Sequence, residues 1–336
     1  MRFALIGAGA IGTVHARLID ALGDEAALVA VVDQNLERGG KLAEQYGARA
    51  YATPADAYAA EELDAVGICL PSALHADVAI EALEAGKHVI VEKPVDITLA
   101  AADRLIAAQR ASRLTVSVIS QRRFQPPVAQ IRAAIDGGAL GRVTSGIAES
   151  AFFRPQSYYD GDDWRGTLAV DGGGALMNQG IHALDLLVWM LGRPVRVSAQ
   201  TGRLAHEGIE VEDLAGASIV FESGAIGLML ASTAAYPGRP VRLTIHGDQG
   251  TAILDDDQLA YFAAANAEEP AAPALDGPDD WGPVELAHLA QYRDFIAAVR
   301  EGRPPAVTVE AGRRSLATVL AVYESARTGR PVELED

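Results

Sequence analysis

A short apolar run, residues 2–6, opens the chain, breaks at three glycines and gives way to a helix-compatible stretch over 11–21. From there to about residue 120, short apolar runs alternate with helical spacings. The apolar runs predict strands over 3–6, 28–32, 65–70, 88–91 and 115–119. The spacings predict helices over 11–21, 36–46, 54–59, 73–85 and 98–111. Strands that alternate with helices imply βαβ units and one doubly wound parallel sheet. In such a sheet, ligands bind at the carboxyl ends of the strands.

The pattern changes after Gln121. A helix over 127–136 leads into longer strand-like runs over 142–153, 195–204, 214–221, 225–232, 241–247 and 251–254. Ser223-Gly224 and the stretch 247–250 have hairpin composition. Helical spacings over 284–300 and 310–328 close the chain, and residues 265–281, rich in Ala, Pro and Asp, read as a surface loop. The expected architecture is α/β: a Rossmann-type domain over 1–121, then an α+β domain over 122–336 with a large, mostly antiparallel open sheet. No internal repeat is visible.

Composition narrows the partners. Hydrophobic residues make up 49% and charged residues 22%, which is globular. Lys and Arg number 28 against 45 Asp and Glu, a net charge of −17. Nucleic-acid phosphates would be repelled, so no nucleic-acid partner is expected. A small anionic substrate remains possible, because local arginines can dominate a pocket. Cys69 is the only cysteine, so no intrachain disulfide can form. With no secretory pattern at the start, this points to the cytoplasm. No run of 18 apolar residues occurs, so no membrane span is expected.

The strongest local signal is Gly7-Ala8-Gly9-Ala10-Ile11-Gly12, between a strand and a helix. Gly7 permits the tight turn, Gly9 lets the backbone approach a pyrophosphate, and Gly12 lets helix and strand pack closely. The N–H groups at the helix start then face the phosphates. Asp33 ends the second strand, about twenty residues on, where a carboxylate binds ribose hydroxyls and repels a 2′-phosphate. Gln34 and Asn35 follow it. Arg38 is the nearest cation, about one helical turn away. The expected cofactor is NAD rather than NADP.

Two further clusters carry chemistry. Glu92-Lys93-Pro94 ends a parallel strand, which brings the lysine out at the ligand-binding edge. Gly172-Gly173-Gly174 opens a helix on which Asn178 and His182 are four apart, hence on one face. Asp185, three residues further, can orient the imidazole or cap a neighbour. Gln121, Arg122 and Arg123 follow the last parallel strand. Arg154, Tyr158, Tyr159, Trp164 and Arg165 crowd a polar loop. Aromatics beside Arg suit a hydroxyl-rich ring, stacked on its apolar faces; an ordinary surface or subunit-contact loop is the other reading.

These motifs together resemble the Gfo/Idh/MocA oxidoreductase family, which includes glucose–fructose oxidoreductase and inositol dehydrogenase. The residues that carry the resemblance are Gly7-x-Gly9-x-x-Gly12, Leu70-Pro71-Ser72-Ala-Leu-His75, Glu92-Lys93-Pro94 and Gly172-Gly-Gly-x-x-x-Asn178-x-x-x-His182. The resemblance spans nearly the whole chain. It implies hydride transfer between nicotinamide and a sugar, polyol or sugar-derivative carbinol, with Lys93 and His182 catalytic and no metal. On the cofactor side it implies Gly7 to Gly12, Asp33, Leu70, Pro71, Ser72, His75, Glu92, Lys93 and Gln121. On the substrate side it implies Lys93, Asn178 and His182, to which the reading of the polar segments adds Arg122, Tyr158, Trp164 and Arg165. It also implies a cis Lys93–Pro94 bond. One departure matters: inositol dehydrogenase-type members carry Asp where this chain has Asn178. Two rival functions share the fold, an NAD-dependent glycosidase and a non-catalytic NAD or sugar sensor. Several strands lack clean polar alternation, Gly224 to Ala231 above all. A homodimer or homotetramer built through the sheet is therefore expected.

Overall fold

The computed structural model describes residues 1–161 and 164–335; Asp162, Asp163 and Asp336, inside the expected second domain, lie outside it. The chain forms two compact units, Met1–Gln121 with Asp276–Arg313, and Arg122–Leu275 with Arg314–Asp336.

The first unit is built on β1 (Arg2–Ile6), β2 (Ala27–Val32), β3 (Arg49–Tyr51), β4 (Ala65–Ile68), β5 (His88–Val91) and β6 (Val116–Val118). All pairings are parallel, in the order β3-β2-β1-β4-β5-β6. This is the doubly wound order, whose strand direction of travel reverses between β1 and β4 and opens a crevice there. The intervening helices are α1 (Ala10–Ala21), α2 (Leu36–Gln45), α3 (Pro54–Ala60), α4 (His75–Glu84) and α5 (Leu99–Ser112). Side chains that accept a backbone N–H start three of them: Asn35 for α2, Thr53 for α3 and Thr98 for α5. No side chain caps α1.

The second unit begins with α6 (Pro126–Asp136), β7 (Val143–Ala151), α7 (Gln156–Asp160) and α8 (Ile181–Leu191). It continues through β8 (Pro194–Gly202), β9 (Leu214–Phe221), β10 (Ile226–Ser232), β11 (Arg242–Gly247), β12 (Gly250–Asp255) and β13 (Gln258–Ala264). Then come α9 (Pro283–Glu301), which joins the first unit, α10 (Val309–Thr328) and β14 (Val332–Glu333). The eight-stranded sheet runs β13-β12-β11-β7-β10-β9-β8-β14. It is antiparallel except between β7 and β10. Glycines let α8 approach its inner face. A Cβ on Gly146 would stand 2.8 Å from Leu187, and one on Gly227 would stand 3.1 Å from it. The outer face exposes Ile147, Ile226, Leu228 and Leu230.

Three strands escaped the sequence pattern. β3 and β14 are only three and two residues long, and β13 is a half-exposed edge strand. The larger difference concerns residues 276–313, which the sequence placed in the second domain and which pack with the first unit. The cause is α9: Leu289, Tyr292, Phe295 and Ile296 are fully buried in one core with Phe3, Leu5 and Ile19. The ring of Phe3 lies 5.8 Å from Tyr292 and 6.1 Å from Phe295. Among the described residues, no helix is long and apolar enough to cross a membrane.

Candidate active site

β1 runs straight into the glycine turn. Gly7 adopts φ 101°, and a Cβ there would sit 2.3 Å from the Cys69 carbonyl oxygen. A Cβ on Gly12 would sit 2.0 Å from the Gly7 oxygen, so both positions require glycine for packing. Gly9 differs: a Cβ there would meet nothing within 4 Å. An uncapped helix start therefore faces open space, with Ala10 and Ile11 exposed beside it. That arrangement fits a pyrophosphate.

Asp33 is buried behind this turn. Its Oδ2 accepts the Ala8 N–H at 2.9 Å and its Oδ1 the Asn35 N–H at 2.8 Å. Arg38 forks onto the same carboxylate, Nε to Oδ2 at 3.0 Å and Nη2 to Oδ1 at 2.9 Å. The cation that the sequence set a turn away thus sits on the acid. Burial opposes ionisation of Asp33, but the Arg38 hydrogen bonds and the two backbone donors outweigh it. The carboxyl is held below its ordinary range.

The loops after β4 and β5 are tied together by His75, which is buried. Its Nδ1 lies 2.6 Å from the Pro94 oxygen and its Nε2 2.8 Å from the Leu70 oxygen. Ser72 is buried as well, whereas Leu70 and Pro71 are partly exposed. Gln121 stands just past β6, and its Oε1 is buried without a hydrogen-bond partner. An orphaned acceptor at the ligand-binding edge of the sheet is a second feature that fits a bound cofactor.

Glu92 and Lys93 divide the work at the end of β5. In the stretch from Val89 to Asp96, Lys93 alone is not buried. Its bond to Pro94 is cis, as the resemblance implied. Glu92 turns inward: Oε1 lies 2.9 Å from His15 Nε2, and Oε2 accepts the Lys93 N–H at 3.0 Å. His15 Nδ1 in turn lies 2.6 Å from the Tyr292 hydroxyl. Burial disfavours the Glu92 carboxylate, but His15 and the nearby Lys93 charge hold its pKa far below the usual range. His288 stands 4.0 Å from Glu92, and burial pushes its pKa down to about 3. His15, Glu92 and His288 bring three possible metal-ligand atoms within 4.8 Å of one another. His15 uses both ring nitrogens, toward Glu92 and Tyr292, whereas His288 Nε2 is buried without a hydrogen-bond partner.

In the second unit Gly174, the last of the three glycines, meets the partly buried Glu212. Glu212 accepts the N–H groups of Gly174 at 2.9 Å and Leu176 at 2.8 Å, and the Tyr323 hydroxyl at 3.0 Å. A Cβ on Gly174 would collide with the Glu212 backbone oxygen at 1.8 Å. Residues Ala175–Gly180 then form a π-helical turn that runs into α8. Such turns insert an extra residue and recur at functional sites. From Gly173 to Val188 every residue is buried except Asn178 and His182. Asn178 Nδ2 donates to Asp171 Oδ1 at 3.1 Å, and Asp171 Oδ2 accepts the Gly166 N–H at 3.1 Å. Asp185 is engaged by Arg123, at 2.7 and 2.6 Å, and by Ser315 at 2.8 Å. This fixes α8 against the start of the unit.

The polar loop forms one cluster. The Tyr158 hydroxyl accepts from Arg165 at 2.7 Å and from Gln179 Nε2 at 3.0 Å. The Arg165 guanidinium stacks 4.5 Å from the Tyr158 ring and 4.6 Å from the Trp164 ring. Arg154 lies over Tyr158 at 5.2 Å. Gln179 thereby links this cluster to the turn that carries Asn178. The Tyr159 ring packs 5.1 Å from Tyr158 and is buried against Ile209 and Val211, and Arg122 lies 3.9 Å from Asp257. Asp171, Gln179, Glu212 and Tyr323 went unnoticed in the sequence. Asp171 had one signal, its place directly before the glycines.

Comparison with known proteins places this geometry. Residues 1–120 match the oxidoreductase family with an NAD-binding Rossmann fold, and residues 128–253 match the GFO/IDH/MocA C-terminal domain. The chain is 30% identical to myo-inositol 2-dehydrogenase of Thermotoga maritima, over 100% of this chain and 99% of that protein. It is 29% identical to inositol 2-dehydrogenase of Rhizobium meliloti, over 99% of each. The WlbA dehydrogenase of Bordetella pertussis, solved in complex with NADH and UDP-GlcNAcA, superposes with a TM-score of 0.91. It is 31% identical, with 100% of this chain and 98% of that chain covered. With the glycine turn, the acid at the end of β2, the lysine after β5 and the histidine on α8 all in place, the chain belongs to the GFO/IDH/MocA family of NAD-binding oxidoreductases.

Proposed function

We propose that the chain is an NAD-dependent dehydrogenase of a carbohydrate, cyclitol or sugar derivative, oxidising a secondary alcohol carbon or running the reverse reduction. One observation carries this reading. In two segments that are otherwise buried, the side chains left accessible are Lys93 in one and Asn178 and His182 in the other. Each has the chemistry to handle a hydroxyl group. The full-length likeness to inositol dehydrogenases supports a polyhydroxylated substrate. So does the Tyr158–Trp164–Arg165 cluster, whose rings and guanidinium suit a sugar face and its hydroxyls. Asn178 adds an amide for a further hydroxyl.

NAD supplies the hydride acceptor. The turn from Gly7 to Gly12, Asp33, Leu70, Pro71 and Gln121 hold it, while His75 and Glu92 brace that wall from inside. His182 takes the hydroxyl proton as general base. Lys93 acts as the hydrogen-bond donor that steadies negative charge developing on a substrate oxygen. The nearby Lys93 charge in turn helps hold the buried Glu92 carboxylate ionised. Each of the two roles is worth about 10²–10⁴ in rate. Lys93→Ala and His182→Ala should each lower kcat by about 10²-fold or more on this scale while NAD still binds. Steady-state kinetics beside NAD titration by calorimetry checks it. Near-wild-type turnover in either variant would remove that residue from the mechanism. We further propose that NAD is preferred over NADP and that the protein works in the cytoplasm.

A further inference from the structure

We propose that Glu212 and Tyr323 are positioning residues for the reaction, taking the first four backbone N–H groups of the helical run that carries Asn178 and His182 and so fixing where those two side chains stand. This rests on the functional reading above, and it gives the glycine motif a task inside the second unit.

A helix leaves its first four N–H groups without partners of its own. Here all four are taken, and two residues from distant parts of the chain take them. Glu212 Oε2 accepts the Gly174 N–H at 2.9 Å, the Glu212 backbone oxygen accepts that of Ala175 at 2.9 Å, and Oε1 accepts that of Leu176 at 2.8 Å. The Tyr323 hydroxyl accepts the fourth, from Met177, at 3.2 Å and donates to Glu212 Oε1 at 3.0 Å. Desolvation and the neighbouring Glu212 hold the Tyr323 phenol well above its ordinary range, so it keeps the proton it donates. Each Glu212 oxygen has a lone pair for an N–H whether the carboxyl is ionised or protonated, so the arrangement does not depend on its charge. The next N–H, that of Asn178, turns back to the Gly174 oxygen at 3.0 Å.

Two of the glycines make room for these partners. A Cβ on Gly173 would stand 2.2 Å from the Tyr323 hydroxyl, and one on Gly174 would stand 1.8 Å from the Glu212 backbone oxygen. The cap also sets the register. Ala175–Gly180 is π-helical and Ile181–Leu191 is α-helical, so the run holds an inserted residue. Successive residues of an α-helix stand about 100° apart around its axis. If the first turn slipped by one residue to shed the insertion, Asn178 would swing by about that angle relative to His182. With all four N–H groups held from outside the run, such a slip breaks several hydrogen bonds at once. From Gly173 to Val188 only Asn178 and His182 escape burial. The side chains whose placement the cap governs are therefore those the reaction uses.

The test weakens the cap with two near-isosteric changes. Glu212→Gln keeps one accepting end and turns an amide N–H toward a backbone N–H; Tyr323→Phe removes a single oxygen. Activity is read as kcat for the carbinol that wild type oxidises fastest in a panel of cyclitols, aldoses and sugar acids. Each variant should lower kcat about 10-fold or more, since a misplacement of about 1 Å costs up to about 10²-fold, while the affinity for NAD is unchanged. A cap that served stability alone would lower the melting temperature and leave kcat at the wild-type value. In a His182→Ala background the added loss of kcat should shrink to about threefold or less, whereas the drop in melting temperature should stay the same. One readout needs no substrate: the imidazole NMR signals of His182 should shift in both variants. Wild-type kcat in the folded variants would overturn the proposal. So would unmoved His182 signals, or a full added loss of kcat in the His182→Ala background. Should Glu212→Gln fail to fold, Tyr323→Phe alone decides. No turnover by wild type on any compound of the panel would overturn the functional reading, while the His182 signals still decide whether the cap places that side chain.

Discussion

At Asp33 the carboxylate is committed to two backbone N–H groups and to Arg38. The acid repels a 2′-phosphate, and the adjacent guanidinium softens that repulsion. NAD should therefore bind about tenfold or more tighter than NADP, a difference of about 1.4 kcal/mol. Asp33→Ala should narrow the gap, and Arg38→Ala should widen it. Calorimetric titration of both cofactors checks this, and equal wild-type affinities would contradict it. Single residues were unevenly legible. Lys93 and His182 stood out because a charged group at a strand end and an imidazole among leucines break their local patterns. Asp171 and Glu212 did not, since the partners that give them meaning lie 7 and 38 positions away.

Helix α9 shows how an element can be read correctly and placed wrongly. Its helical spacing is plain, but nothing local says which sheet it covers. The answer is tertiary: Tyr292 hydrogen-bonds His15 on α1, and His288 lies 4.0 Å from Glu92 at the end of β5. His288 yields a prediction with a definite sign. Its pKa is pushed from 6.5 down to about 3, so the folded state resists protonation there. The neutral residue contributes its full stability above about pH 6.5. That contribution falls as acidity rises toward pH 3, because the unfolded chain takes up the proton first. The slope from this one group approaches about 1.4 kcal/mol per pH unit. Denaturant unfolding between pH 7 and 4 should show a shallower loss in His288→Gln than in wild type. Identical slopes would mean that His288 is protonated in the fold. The π-helical turn before α8 was equally hidden, because period-3.6 spacing and an inserted residue look alike over one turn. Short edge strands such as β3 carry too few residues to show a period at all.

For the molecule as a whole, the alternation of strands and helices up to Gln121 was enough to specify a doubly wound sheet, and the longer runs beyond it an open one. What sequence could not show is that the chain returns to the first unit over Asp276–Arg313. The outer face of the second sheet makes the remaining structural prediction. Ile226, Leu228 and Leu230 alternate outward along β10, and Ile147 pairs with Leu228 from β7. Each is at least 41% exposed in the single chain, so residues 265–275 do not cover them. Light scattering should give a multiple of the 35.2 kDa chain mass, and a charged substitution at Leu228 should lower it. A single-chain mass at micromolar concentration would contradict a sheet-mediated homo-oligomer. The central claim concerns chemistry, and the most direct test is to incubate the purified protein with NAD and a panel of cyclitols, aldoses and sugar acids while following NADH absorbance. The account predicts sustained NADH formation with at least one of them, matched mole for mole by the ketone or lactone product. No NADH with any member of the panel, or release of free sugar from a glycoside without net NADH, would contradict it.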